Sequence, residues 1–84
     1  MSFLNLIFIL NGKNITMQCQ SSELFAEVAL RYCQKRGLGE NDSPKFFFNS
    51  QELKLEAGKT LSDYKMNTNA KVDVVLSSTV IGAI

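Results

Sequence analysis

Residues 21–37 read Ser-Ser-Glu-Leu-Phe-Ala-Glu-Val-Ala-Leu-Arg-Tyr-Cys-Gln-Lys-Arg-Gly, and this stretch decides the fold. Phe25, Val28, Ala29, Tyr32 and Cys33 fall at the i, i+3, i+4, i+7, i+8 spacing that puts them on one stripe of an α-helix. Ser21 and Ser22 supply candidate N-caps. Glu23 and Glu27 come early while Arg31, Lys35 and Arg36 come late, which suits the helix dipole. Glu27 and Arg31 form a favourable i,i+4 pair. Gly37 stands where a helix end wants a left-handed residue. A helix with a single apolar stripe has to lay it on one face of a sheet, so the flanking sequence is read for strands.

Upstream, Phe3 to Leu10 is rich in aromatic and branched residues and ends at Asn11-Gly12, the strongest short hairpin signal. Asn14 to Gln20 then alternates, with Ile15, Met17 and Cys19 on one face and polar residues on the other, as in a half-buried strand. Downstream, a polar loop from Gly39 to Pro44 leads into Lys45-Phe46-Phe47-Phe48, a short strand turned by Asn49-Ser50. Glu52 to Leu55 is expected to pair back as a short strand, and Thr60 to Tyr64 to make one turn of tight helix. Lys71 to Leu76 is the last strand, with Val72, Val74 and Leu76 alternating against Asp73 and Val75. The expected class is α+β: one main helix on a mixed sheet of four to five strands. Residues 1–78 are expected to form one domain, and residues 79–84 a flexible C-terminal tail.

Composition narrows the function. A chain of 84 residues has room for one small core. A net charge of +1 gives no field toward nucleic acid or anionic membrane, and Phe3 to Leu10 is too short to span a bilayer. Histidine is absent and the cysteines number two, Cys19 and Cys33. That excludes the usual zinc ligand sets and every His-based nucleophile. Both cysteines read as small core or groove hydrophobes. No metal, cofactor or catalytic residue is expected, and the protein is not read as an enzyme. Two cysteines with no secretory signal point to a reduced, intracellular protein, cytoplasmic or nuclear.

Gly58-Lys59-Thr60-Leu61-Ser62-Asp63-Tyr64 resembles the segment before ubiquitin's last strand, and Gly12-Lys13-Asn14-Ile15-Thr16 resembles its first hairpin. Tyr32-Cys33-Gln34-Lys35-Arg36-Gly37-Leu38 resembles the small ubiquitin-like modifier SUMO, as does the stretch around Met66 and Val72-Asp73-Val74. The resemblance runs from about Leu4 to Leu76 and implies the β-grasp arrangement, in which the last strand inserts beside the first. It further implies that Tyr64 is architectural, its ring on the loop Glu56 to Gly58 and its hydroxyl on backbone.

Three surfaces are candidates for function. Alternation through Phe46-Phe47-Phe48 sends Phe47 outward if its neighbours face in. By resemblance, Phe47 takes the central isoleucine position of ubiquitin's recognition patch, Val75 its valine, and Leu10 lies near its loop leucine. Asp73 stands in place of a histidine. These residues read as a protein-binding face, unless the chain's own tail or a neighbouring domain covers Phe47. The second surface is the groove where SUMO takes an extended peptide, matched here by Met17, Cys19, Val28, Tyr32 and Lys35. Gln18, Gln20 and Glu27 replace the basic residues that would favour acidic peptides. The third is the tail. Conjugated modifiers end in glycine, but Val80 and Ile81 occupy the diglycine positions. The preferred reading is therefore a non-conjugated interaction domain whose partners are ubiquitin-like-binding domains or ubiquitin-pathway enzymes. The alternative is a modifier conjugated through Gly82 after removal of Ala83-Ile84.

Overall fold

The computed structural model describes residues 3–76. Strand β1 (Phe3–Leu10) and strand β2 (Lys13–Gln20) form the expected hairpin. Asn11 and Gly12 take φ of 52° and 78°, the double left-handed geometry of the turn that matches strand twist. The connection is two residues long and pairs Leu10 with Lys13. Helix α1 (Phe25–Arg36) comes next, then β3 (Pro44–Phe48), β4 (Gln51–Glu52) and β5 (Ala70–Leu76). The five strands lie in the order β2-β1-β5-β3-β4. β5 runs parallel to β1 and antiparallel to β3. The last strand thus inserts beside the first, and the chain is an α+β β-grasp.

Helix and sheet meet in one apolar core. Phe25, Val28, Ala29 and Tyr32 of the helix stripe are buried, while Cys33 at its edge is half-buried. They pack on Leu4, Leu6, Phe8 and Leu10 of β1, Phe46 of β3, and Val72 and Val74 of β5. Phe8 is the centre of this layer. It stacks on Tyr32 at 4.4 Å between ring centroids and meets Phe46 edge-on at 6.0 Å. Offset and edge contacts of this kind add to what burial alone supplies. Gly37 caps the helix with φ of 75°, its N–H reaching the Gln34 carbonyl while the next N–H, of Leu38, reaches Cys33.

Two local expectations are corrected and a third is sharpened. Neither Ser21 nor Ser22 caps the helix: Leu24 holds the cap position with no side-chain bond. The Phe25 N–H donates instead to the carbonyl of Lys59, so a distant segment satisfies the helix start. Thr60 to Tyr64 makes a single turn, the Tyr64 N–H donating to the Thr60 carbonyl and the Lys65 N–H to that of Ser62, without continuing as a regular helix. Thr60 is bridged to Leu24, and the Leu61 and Ser62 N–H groups donate to the carbonyls of Glu23 and Ser21, which ties the start of this turn to the segment before the helix; Lys65 ends it with φ of 58°. Tight helical turns lie at Glu40–Asp42 and Leu55–Ala57, the second where a strand end was expected. Thr60 and Asp63 do form a reciprocal pair, each backbone N–H donating to the other's side chain, and these bonds hold the Asp63 carboxyl below its usual range.

Candidate functional site

Strand parity sorts the candidates onto two faces. In β1, Leu4, Leu6, Phe8 and Leu10 point to the helix, so Phe3, Asn5, Ile7 and Ile9 point away. In β3 and β5, Phe46, Val72 and Val74 point in, leaving Phe47, Lys71, Asp73 and Val75 outside.

Leu10 therefore does not belong to the outer patch. It is 2% exposed and packed in the core. Its neighbour Ile9 takes that place. The register puts Ile9, Asp73 and Phe47 in one row across three strands, because Asp73 pairs with Ile9 on one side and with Phe47 on the other. Ile7 stands opposite Lys71, and Val75 opposite Lys45. Val75 is 47% exposed, and Ile7, Ile9 and Phe47 are half-buried. The outer face is thus a set of four apolar side chains with a carboxylate at its centre and a lysine above and below. Asp73 has no ion-pair partner among the described residues.

Ile7 and Ile9 escaped the sequence reading, although a signal for them exists. β2 buries Ile15, Met17 and Cys19 on one side, and the two-residue turn pairs these with Phe8, Leu6 and Leu4. That parity sends every even residue of β1 inward and every odd one outward.

At the β2–α1 groove, β2 is an edge strand of the sheet. Cys19, Val28 and Tyr32 are 2%, 0% and 0% exposed, so these three side chains belong to the core. Met17 is half-buried against the core, and Lys35 is exposed. The Cys19 thiol donates weakly to the Leu4 and Met17 carbonyls, and burial, with Glu23 close by, pushes its pKa up. Arg31 pairs with Glu23 at 2.8 Å rather than with Glu27. Gly82 and the tail lie outside the described residues.

Tyr64 does not bond backbone through its hydroxyl among the described residues. Its ring meets Phe25 edge-on at 6.1 Å, so it props the helix start. Among the described residues no cluster of three metal-ligating side chains occurs, and no helix is long and apolar enough to cross a membrane.

The fold agrees with a family comparison. The family model described as ubiquitin-2 like Rad60 SUMO-like matches residues 6–76, from within β1 to the last residue of β5. The chain belongs to this SUMO-like family of the ubiquitin-like superfamily.

Proposed function

We propose that this domain docks other proteins through its outer sheet face, without being conjugated to them. Asp73 held between Ile9 and Phe47 carries the reading. A carboxylate in the middle of an apolar row does nothing for the fold, since acidic residues are disfavoured in strands. It does suit a partner that brings a cation framed by apolar groups. Family membership supports the general role, because SUMO-like domains interact with other proteins. The two cysteines are free thiols, which supports a reducing compartment, cytoplasmic or nuclear.

The test compares proteins captured from cell extract by the unaltered chain, by Phe47→Ala, by Asp73→Lys and by Leu30→Ala on the helix side. Partners should be lost with the first two variants and kept with the third. Retention of the same partners by Phe47→Ala and Asp73→Lys sinks the proposal. The rival role, conjugation through Gly82, predicts a processed species whose mass ends at that residue together with heavier ATP-dependent conjugates.

A further inference from the structure

β2 lies at one edge of the sheet, and the hairpin shows which of its backbone groups face outward. The two-residue turn bonds Lys13 back to Leu10, so the hydrogen-bonded pairs of the β1–β2 ladder are those of Lys13, Ile15, Met17 and Cys19. The backbone groups of Asn14, Thr16, Gln18 and Gln20 therefore point the other way, off the sheet. Gln20 bears out this parity: its N–H donates to the Glu23 carboxylate at 2.7 Å, and its carbonyl accepts the Glu23 N–H at 3.0 Å. Asn14, Thr16 and Gln18 have no such partner among the described residues. Each offers a donor and an acceptor, in one row.

An exposed edge is usually blunted by shortness, charge, proline or a bulge. The opposite edge, β4, is two residues long and carries Glu52. β2 is eight residues long, pairs with β1 in unbroken register, and has neither charge nor proline after Lys13. From Asn14 to Gln20 it has no charge to set against one on an added strand, so a neutral strand suits it.

β2 itself is such a strand. Laid antiparallel about a two-fold axis through Thr16, Asn14 faces Gln18 of the second copy, and Thr16 faces its own counterpart. These are pairs of the kind that exchange two hydrogen bonds, so the free backbone groups of Asn14, Thr16 and Gln18 are all satisfied. The side chains match too. On the outer face amide meets amide, and threonine meets threonine, a favourable cross-strand pair. On the helix side, Ile15 faces Met17 of the second copy. Both are half-buried in the single chain, and pairing covers their wet flanks. Lys13 comes opposite Cys19, so no like charges are opposed within the strands.

We propose that two copies of this chain associate through β2, paired antiparallel about Thr16 into one continuous sheet. The axis stands perpendicular to the sheet, so both helices lie on one side and both Phe47 faces on the other. The contact is isologous and uses up the unprotected edge, leaving only the short β4 at either end, so assembly closes at the dimer. A partner with a repeated motif can then engage both outer faces at once. The association is independent of the outer-face reading, because it uses backbone groups of the edge rather than the side chains of Ile9, Asp73 and Phe47.

Sedimentation equilibrium across a concentration series tests this on the full chain, Thr16→Lys, Thr16→Glu and Phe47→Ala. One strand pair is a small interface, so the apparent mass should rise from monomer to dimer over about 10 μM to 1 mM. Thr16 is exposed, and its substitution leaves the β1 ladder intact. Thr16→Lys and Thr16→Glu should each stay monomeric, because like charges then face each other across the axis. Their equimolar mixture should dimerise, and so should Phe47→Ala. Amide exchange of the intact chain gives a readout that needs no variant. With about nine-tenths of the chain paired, the Asn14, Thr16 and Gln18 amides should exchange about tenfold more slowly than in dilute solution, with Ile15 and Met17 unchanged. A chain that stays monomeric throughout overturns the proposal, as does a dimer that survives Thr16→Lys. Failure of the mixture to dimerise overturns the register about Thr16. Protection of the alternating amides only on addition of an unrelated peptide would make β2 an edge for foreign strands, and would overturn self-pairing.

Discussion

Phe47 of β3 and Asp73 of β5 are directly paired across the sheet, a ring and a carboxylate side by side on the face away from the helix. A carboxylate there gains nothing from its apolar neighbours and sits in a conformation it disfavours. Asp73→Thr should therefore raise stability, by about 0.5 kcal/mol on the strand-propensity scale, while capture of partners falls. Urea unfolding and the extract comparison measure the two effects separately. A variant that is both less stable and fully able to bind would contradict both halves of this account.

Leu10 and Ile9 are adjacent in sequence yet opposite in role. Leu10 is 2% exposed and belongs to the core, whereas Ile9 is half-buried on the outer face. Truncating a buried leucine costs its transfer energy plus a cavity, so Leu10→Ala should lose about 2–5 kcal/mol. Ile9→Ala leaves no closed cavity and should cost less than about 1.5 kcal/mol, at the low end of core truncations. Denaturant midpoints with unchanged slopes would establish the difference. Partner capture should fall for Ile9→Ala under conditions where the variant is fully folded.

The difference between these two residues also shows what the sequence made legible. The helix was readable because Phe25, Val28, Ala29 and Tyr32 hold helical spacing, with Glu27 and Arg31 off the stripe and Gln34, Lys35 and Arg36 closing the helix. β1 is apolar at seven of its eight positions, all but Asn5, so its own alternation could not say which set faced the helix. Phe47 was placed outward by its buried neighbour Phe46, and Val75 by the polar-apolar rhythm of β5. The helix start was misread for another reason. Its first N–H is satisfied by Lys59, more than thirty residues away in sequence, and local capping rules carry no information about that. The same stitching limits the turn at Thr60, where Leu61 and Ser62 donate to Glu23 and Ser21 while Tyr64 and Lys65 bond back locally, to Thr60 and Ser62.

Glu23 joins the second strand to the helix. Its carboxylate accepts the Gln20 N–H at 2.7 Å and pairs with Arg31 at 2.8 Å. The Arg31 bond, partly opposed by burial and helped by the Gln20 N–H, holds the Glu23 pKa below its ordinary 4.5. A carboxyl with a depressed folded-state pKa contributes stability above its unfolded pKa and loses it as pH falls through the folded value. Glu23→Gln keeps an acceptor for Gln20 but removes the charge. At pH 7 it should cost about 0.5–1 kcal/mol, because the pair is partly exposed and screened. The gap between the two chains should close as acid carries the pH below the ordinary carboxylate range. A difference that persists unchanged in acid would mean that packing, rather than charge, is what Glu23 supplies.

Tyr32 is 0% exposed, and its hydroxyl has no hydrogen-bond partner among the described residues. The ring itself is well placed, stacked on Phe8 at 4.4 Å with an interplanar angle of 14° and edge-on to Phe46 at 6.4 Å. Burying a hydroxyl with nothing to bond forfeits its water contacts, at a cost of about 1–3 kcal/mol. Phenylalanine keeps both ring contacts and has no group to desolvate. Tyr32→Phe is therefore expected to stabilise the domain by about 1 kcal/mol, against the usual direction for a core substitution. Thermal and urea unfolding at fixed protein concentration test this, and the denaturant slope should not change, since the same surface is buried. A loss of stability of similar size would instead mean that the hydroxyl is bonded in solution, to a trapped water or to a residue outside 3–76.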